Sequence, residues 1–125
     1  MKNTVTKPIV IGMVGTGYGC ELHGNAYETL GGVPIRLKTV CGGHNRQKAE
    51  TMKERYGYEV VTMDYMDIIN DPEIDIVDIN TNQTLHVPIA IAALKAGKHV
   101  ICEKPVTLSM ESLERMLVAV SEAGV

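Results

Sequence analysis

The stretch Pro8–Val14, PIVIGMV, runs directly into Gly15-Thr16-Gly17-Tyr18-Gly19-Cys20. A short apolar run rich in β-branched residues is the pattern of a strand buried on both faces. The glycines after it permit a tight turn. Cys20–Leu30 then has helical character, closed by Gly31 and Gly32. A buried strand, a glycine turn and a helix together begin a βαβ unit, the connection a parallel sheet requires. This is also the placement that the fingerprint G-x-G-x-x-G needs. The first glycine allows the turn, the second lets the backbone approach a pyrophosphate, and the third keeps the helix close to the strand. Gly15 and Gly17 fill the first two positions, and Cys20, a small residue, fills the third. Thr16, Tyr18 and Gly19 complete a loop whose helix-start amides would face phosphate. A purely structural turn is the competing reading. The position after an N-terminal strand favours nucleotide binding.

The alternation continues to the end of the chain. Ile35–Cys41 reads as a second strand, and Gln47–Tyr56 as a polar-faced helix ended by Gly57. Val60 and Val61 mark a short third strand, and Tyr65–Asn70 a helical turn or two before Asp71-Pro72. Asp75–Asn80 is the fourth strand. His86–Ala96 is an apolar helix closed by Gly97, with Pro88 expected in its first turn and Thr84 as its cap. Lys98–Cys102 is the fifth strand. Ser109–Ala123 is the last helix, capped by Ser109, with Leu113, Met116, Leu117 and Val120 on one face. Strands alternating with helices predict an α/β fold. The expected form is a Rossmann-like, three-layer, doubly wound parallel sheet of about five strands in the order 3-2-1-4-5. No repeat or linker divides the 125 residues, so positions 1–125 read as one domain with one core.

Composition narrows the partners. Twelve Lys plus Arg against fifteen Asp plus Glu leave a formal net charge of −3, which argues against a nucleic-acid footprint. No run approaches the roughly 18 apolar residues of a membrane span. Met1–Val5 lacks the apolar core of a signal peptide. The cysteines are Cys20, Cys41 and Cys102, an odd number without a C-x-x-C pair. They suggest neither a disulfide framework nor a metal site, and point to a reducing, cytoplasmic compartment.

The tip of the second strand reads Cys41-Gly42-Gly43-His44-Asn45-Arg46, with no acid before Glu50. An NAD-preferring site usually places Asp or Glu here to hold the ribose 2′-hydroxyl. Without it, repulsion toward a 2′-phosphate is removed. Gly43 makes room, and His44 and Arg46 supply donors and positive charge. The expected cofactor is therefore NADP or NAD, with NADP favoured. The alternative is a flexible loop with Arg46 solvated at a helix start.

Ligands of an open α/β sheet lie beyond the carboxyl ends of its strands. Two further loops meet that condition, Asn80–His86 and Cys102–Pro105. The second carries Glu103 and Lys104 at a strand tip, where an ammonium can polarise a carbinol oxygen beside a nicotinamide. A surface ion pair is the plainer reading of adjacent Glu and Lys.

Three segments, GTGYGCELHGNAY, TNQTLH and AGKHVICEKPVTLS, resemble the glucose–fructose oxidoreductase, inositol dehydrogenase and rhizopine-catabolism (Gfo/Idh/MocA) family. The likeness runs from Ile9 to the C-terminus, and Ala96–Pro105 is its most specific part. It implies a dinucleotide-binding domain followed by a larger α/β substrate domain that is absent from this chain. It implies that Lys104 of the Glu-Lys-Pro motif lies beside the nicotinamide and a substrate hydroxyl, oriented by Glu103, and that Lys104–Pro105 is a cis peptide. The segment Thr81–His86 resembles the family's Thr-Pro-Asn-x-x-His loop, with Asn82 in place of proline and Gln83 in place of asparagine, while His86 matches. Thr81, Asn82, Gln83, His86, Glu103, Lys104 and Pro105 thereby join the expected cofactor contacts. The catalytic Asp and His that accompany the lysine in the family come from the second domain, so this chain alone is expected to hold a cofactor without turning over a substrate. The expected substrate is a secondary alcohol of a sugar, inositol or related polyol. Apolar surface at the domain junction would favour self-association into a homo-oligomer. A non-catalytic nucleotide sensor and an S-adenosylmethionine or nucleoside binder are the rival readings.

Other residues carry less. His23, in the first helix, reads as a supporting or surface residue. His99 reads as packed in the fifth strand. Cys20 could be activated at a helix start but is expected to be inert.

Overall fold

The computed structural model describes residues 7–125; the expectation for Met1–Val5 lies outside them. Five strands form one parallel sheet: β1 (Ile9–Val14), β2 (Ile35–Cys41), β3 (Val60–Thr62), β4 (Ile76–Ile79) and β5 (His99–Cys102). Their order is β3-β2-β1-β4-β5, as the sequence pattern predicts. The helices between and after them are α1 (Tyr18–Thr29), α2 (Arg46–Tyr56), α3 (Met66–Ile69), α4 (Gln83–Lys95) and α5 (Met110–Ala123). Among the described residues no helix is long and apolar enough to cross a membrane.

The two faces of the sheet make two cores, because successive side chains of a strand point to opposite sides. On β1, Val10 and Val14 join Val77, Ile79, Ile68 and the α4 residues Ile89, Ala90 and Ala93. Met13 joins Cys20, Val40, Ala49, Met52 and Tyr58 on the other face. Each fully buried aliphatic side chain contributes on the order of 1.5–3 kcal/mol. β1 and β4 are thus covered on both sides, and the strand order reverses between them, which puts the switch point at their carboxyl ends.

Several local expectations are corrected. α4 begins at Gln83, because Asn82 and not Thr84 is its cap: Asn82 Oδ1 accepts the backbone N–H of Thr84 at 3.0 Å. Pro88 consequently lies in the second turn, on the exposed side. A proline there withholds a donor from the Thr84 carbonyl, and solvent can supply one. His99 is exposed on β5, an edge strand. Lys98 precedes β5 and is buried, donating from Nζ to the carbonyls of Asp71 (2.6 Å) and Ile74 (2.8 Å). On α5, Ala119 is buried and Leu113 and Met116 are partly buried, while Leu117 and Val120 face outward. α5 packs on α4, with Ile91 and Lys95 of α4 beside Arg115, Val118 and Ala119 of α5.

Candidate active site

Gly15 has φ +120°, and a Cβ there would stand 2.4 Å from the carbonyl oxygen of Asn80. Only glycine lets β1 turn so close to the strand beside it. Gly17 is the N-cap of α1 and is different. A Cβ built there meets nothing within 4 Å, so this position is open to an approaching group. α1 has no side-chain cap, whereas α2, α4 and α5 are capped by Asn45, Asn82 and Ser109. Its first amides therefore remain available to an anion. Cys20 is fully buried, and its thiol donates to the Asn80 carbonyl at 3.6 Å. Burial pushes that thiol up to about 12, so it is an inert packing residue in the third fingerprint position.

A cleft of about 340 Å³ opens at the carboxyl ends of β1, β2 and β4. Gly15, Thr16 and Gly17 form one wall, Gly43 and His44 another, and Thr81 and Asn82 a third. Met63, Tyr65, Asn80 and Leu85 also line it. Met63 and Tyr65 escape sequence reading, since they come from a segment without a motif of its own, whereas Asn80 and Leu85 belong to the Asn80–His86 stretch already marked by its place at a strand tip. Among the described residues Asn80 Oδ1 has no hydrogen-bond partner; it is buried beside the glycine loop and would meet a Cβ on Gly19 at 2.7 Å. An open glycine, an uncapped helix start and an orphaned acceptor fit a dinucleotide at this cleft. A larger concavity of about 510 Å³ lies between α1 and α2, and Tyr18 lines that one. It holds no strand end and mixes Glu21 with Lys48 and Arg55, so it is not the site indicated by the fold.

Arg46 stands outside the cleft, exposed at the start of α2, with a loose contact to Glu50 at 3.7 Å. Gln83 is exposed in the first turn of α4. His86 is buried, and its two ring nitrogens lie 3.0 Å from the carbonyls of Thr81 and Pro105. The ring thus joins the two loops from within and is not open to a cofactor. The Lys104–Pro105 bond is cis. Lys104 is exposed, and among the described residues its ammonium has no hydrogen-bond partner.

Glu103 does not bind the Lys104 ammonium. Oε2 accepts the Lys104 backbone N–H at 3.3 Å, and Oε1 lies 2.9 Å from His23 Nε2. His23 Nδ1 faces Asp78, at 3.0 and 2.9 Å from its two carboxylate oxygens. Asp78 is fully buried and also accepts from the Tyr27 hydroxyl and from Asn80 Nδ2 at 2.7 Å. An aspartate inside the apolar strand DIVDIN is the signal that could have revealed this network. Burial lowers the His23 pKa, but bonding and charge from Asp78 and then Glu103 outweigh it and hold the imidazole above its ordinary range. The His23 hydrogen bond chiefly holds Glu103 below the usual carboxylate range.

Residues 9–125 match the family model for the oxidoreductase family with an NAD-binding Rossmann fold, Gfo/Idh/MocA. Levoglucosan dehydrogenase of Pseudarthrobacter phenanthrenivorans is 37% identical over 122 residues, covering 92% of this chain and 31% of that protein. Myo-inositol 2-dehydrogenase of Thermotoga maritima is 30% identical over 115 residues, covering 92% and 34%. A solved levoglucosan dehydrogenase complex with NADH and levoglucosan superposes with a TM-score of 0.85 at 36% identity, covering 95% of this chain and 34% of that one. Biliverdin reductase from Synechocystis, in complex with biliverdin and NADP+, gives 0.84 at 31% identity, covering 94% and 36%. The chain spans about a third of the length of these relatives. With its glycine loop, its strand order and its Glu-Lys-Pro turn, the chain belongs to the Gfo/Idh/MocA oxidoreductase family as an NAD-binding Rossmann domain.

Proposed function

We propose that this chain is the cofactor-binding part of a two-domain, NAD(P)-dependent oxidoreductase acting on a secondary alcohol of a sugar, inositol or related polyol. The observation that carries the reading is the open Gly17 backbone under an uncapped α1, in one cleft with the Thr81–Asn82 loop and near the Lys104 loop. The names of the relatives, a levoglucosan dehydrogenase and a myo-inositol dehydrogenase, support the substrate class. A nicotinamide bound there supplies the hydride donor or acceptor. Gly15–Cys20 seat the pyrophosphate by backbone amides and close packing. Lys104 Nζ would donate to the carbinol oxygen of a bound alcohol and steady negative charge there. The residues completing the substrate pocket come from a further domain.

NADP is the favoured cofactor, because no carboxylate stands between Cys41 and Arg46 to repel a 2′-phosphate. His44 lines the cleft, and Arg46 is loosely held, so its guanidinium can swing toward a phosphate. A homo-oligomer in the cytoplasm completes the proposal, in keeping with exposed Leu117, Val118 and Val120 and with three unpaired cysteines.

Thermal unfolding with NADP(H), NAD(H) and S-adenosylmethionine, one at a time, tests the reading. Ligand at about 100 times its dissociation constant adds roughly 2.7 kcal/mol to stability. A larger shift with NADP(H) than with NAD(H) is expected. A shift with NAD(H) alone overturns the preference, and a shift with S-adenosylmethionine alone overturns the oxidoreductase reading.

A further inference from the structure

The loop that carries Lys104 is held from both sides by histidines of other elements. Pro105 is held through its carbonyl by His86 of α4. Glu103 is held through its carboxylate by His23 of α1. The second grip differs in kind, because His23 is itself pinned by a fully buried carboxylate.

The proton inventory defines the strut. The Asp78 carboxylate only accepts and lies 2.9 Å from His23 Nδ1, while Asn80 Nδ2, 3.2 Å from the same nitrogen, gives its shorter bond to Asp78 at 2.7 Å, so Nδ1 carries the proton. Nε2 faces the Glu103 carboxylate at 2.9 Å, so a donor is needed there as well. Only the imidazolium donates from both nitrogens. Three segments, 55 and 80 residues apart in sequence, are thus coupled through one ring: β4, α1 and the loop after β5. Glu103 then passes the constraint on, since its other oxygen accepts the Lys104 backbone N–H.

We infer that His23 is a positioning residue for Lys104: as a cation it bridges Asp78 and Glu103 and thereby sets the loop that presents the lysine. The inference rests on the proposed role of Lys104. Loss of the His23 proton leaves a lone pair against the Glu103 carboxylate and releases that side of the loop. The charged groups facing His23 are Asp78 from β4 and Glu103 from the loop after β5. The neighbouring titratable groups, Tyr27, Tyr58, Cys20 and Cys102, are all pushed up by burial and stay neutral as His23 titrates.

The test follows the Lys104 backbone amide and the His23 ring by nuclear magnetic resonance between about pH 5 and pH 9, with NADH and NADPH binding measured in parallel. In the native chain the Lys104 amide signal should move with the His23 titration. In His23→Gln that dependence should vanish, and Lys104 amide hydrogen exchange should speed up about tenfold while core amides stay protected. In Glu103→Gln, a change at a partly exposed side chain, the His23 midpoint should fall toward its ordinary value. A Lys104 amide that behaves alike in the native chain and His23→Gln overturns the inference. An unmoved His23 midpoint in Glu103→Gln overturns it even where His23→Gln fails to fold. Failure of the native chain to bind either dinucleotide sinks the proposed function instead, and leaves the coupling measurable.

Discussion

Nδ1 of His86 lies 3.0 Å from the carbonyl oxygen of Pro105, across 19 residues of sequence. The other ring nitrogen lies 3.0 Å from the Thr81 carbonyl, so one buried ring ties the loop after β4 to the loop after β5. Both partners are acceptors only, so the ring nitrogen that carries the proton donates to one of the two carbonyls.

Replacing that ring leaves unmet acceptors and a void together. His86→Ala should lower unfolding stability by about 3 kcal/mol, measured by urea denaturation. A loss under about 1 kcal/mol would mean that the two carbonyls find other donors once the ring is gone.

The glycines of the first loop should separate by role. Gly15→Ala drives a Cβ into the Asn80 backbone at a left-handed φ, and should cost about 3 kcal/mol or more of stability. Gly17→Ala meets open space, so its stability change should stay under about 1 kcal/mol. Its affinity for NADH or NADPH should nonetheless drop about tenfold or more, because the methyl occupies the approach path of the pyrophosphate. Equal effects of the two substitutions on stability, or unchanged affinity in Gly17→Ala, would contradict this division. Calorimetric titration beside thermal melts reads both.

Stability should depend on pH in two opposite directions around His23 and Glu103. The His23 pKa is raised in the folded chain from an ordinary 6.5, so its contribution is full below that value and is lost as pH rises through the folded pKa. The Glu103 pKa is lowered from an ordinary 4.5, so its contribution is present above that value and is lost as pH falls through the folded pKa. For this pair, stability is greatest between the two ordinary values. The melting temperature should fall as pH climbs above the histidine range, and that decline should flatten in His23→Gln. An identical decline in both chains would assign it to other groups.

Lys98 predicts a structural effect without a ligand effect. Its ammonium serves two carbonyls in the turn before β4, away from the cleft. Lys98→Met should cost roughly 2–4 kcal/mol through those unmet carbonyls. Dinucleotide affinity should stay within about threefold of native. A large loss of affinity in a folded Lys98→Met chain would show that the two ends of the sheet are coupled.

Much of this fold can be read along the chain because its signals are local. PIVIGMV before a glycine turn, glycines closing the helices, and alternation of strand and helix patterns settle the layers and the strand order through handedness rules. The glycine loop and Glu103-Lys104-Pro105 are legible for the same reason, since each is a contiguous motif at a strand tip. Helix starts were less legible. Asn82 and Thr84 are both good caps, and only the path of the chain out of β4 selects Asn82.

The amino-acid sequence by itself therefore determined a parallel α/β sheet with a nucleotide-type loop and a lysine at its carboxyl edge. The tertiary structure alone decided what holds that lysine. His23, Asp78 and Glu103 are scattered over 80 residues and become one charged chain only where α1, β4 and the loop after β5 converge. His86 has the spacing of a loop contact in sequence, yet the fold buries it between two carbonyls. Burial and donor–acceptor pairing belong to neighbours in space, and a linear pattern carries no record of them.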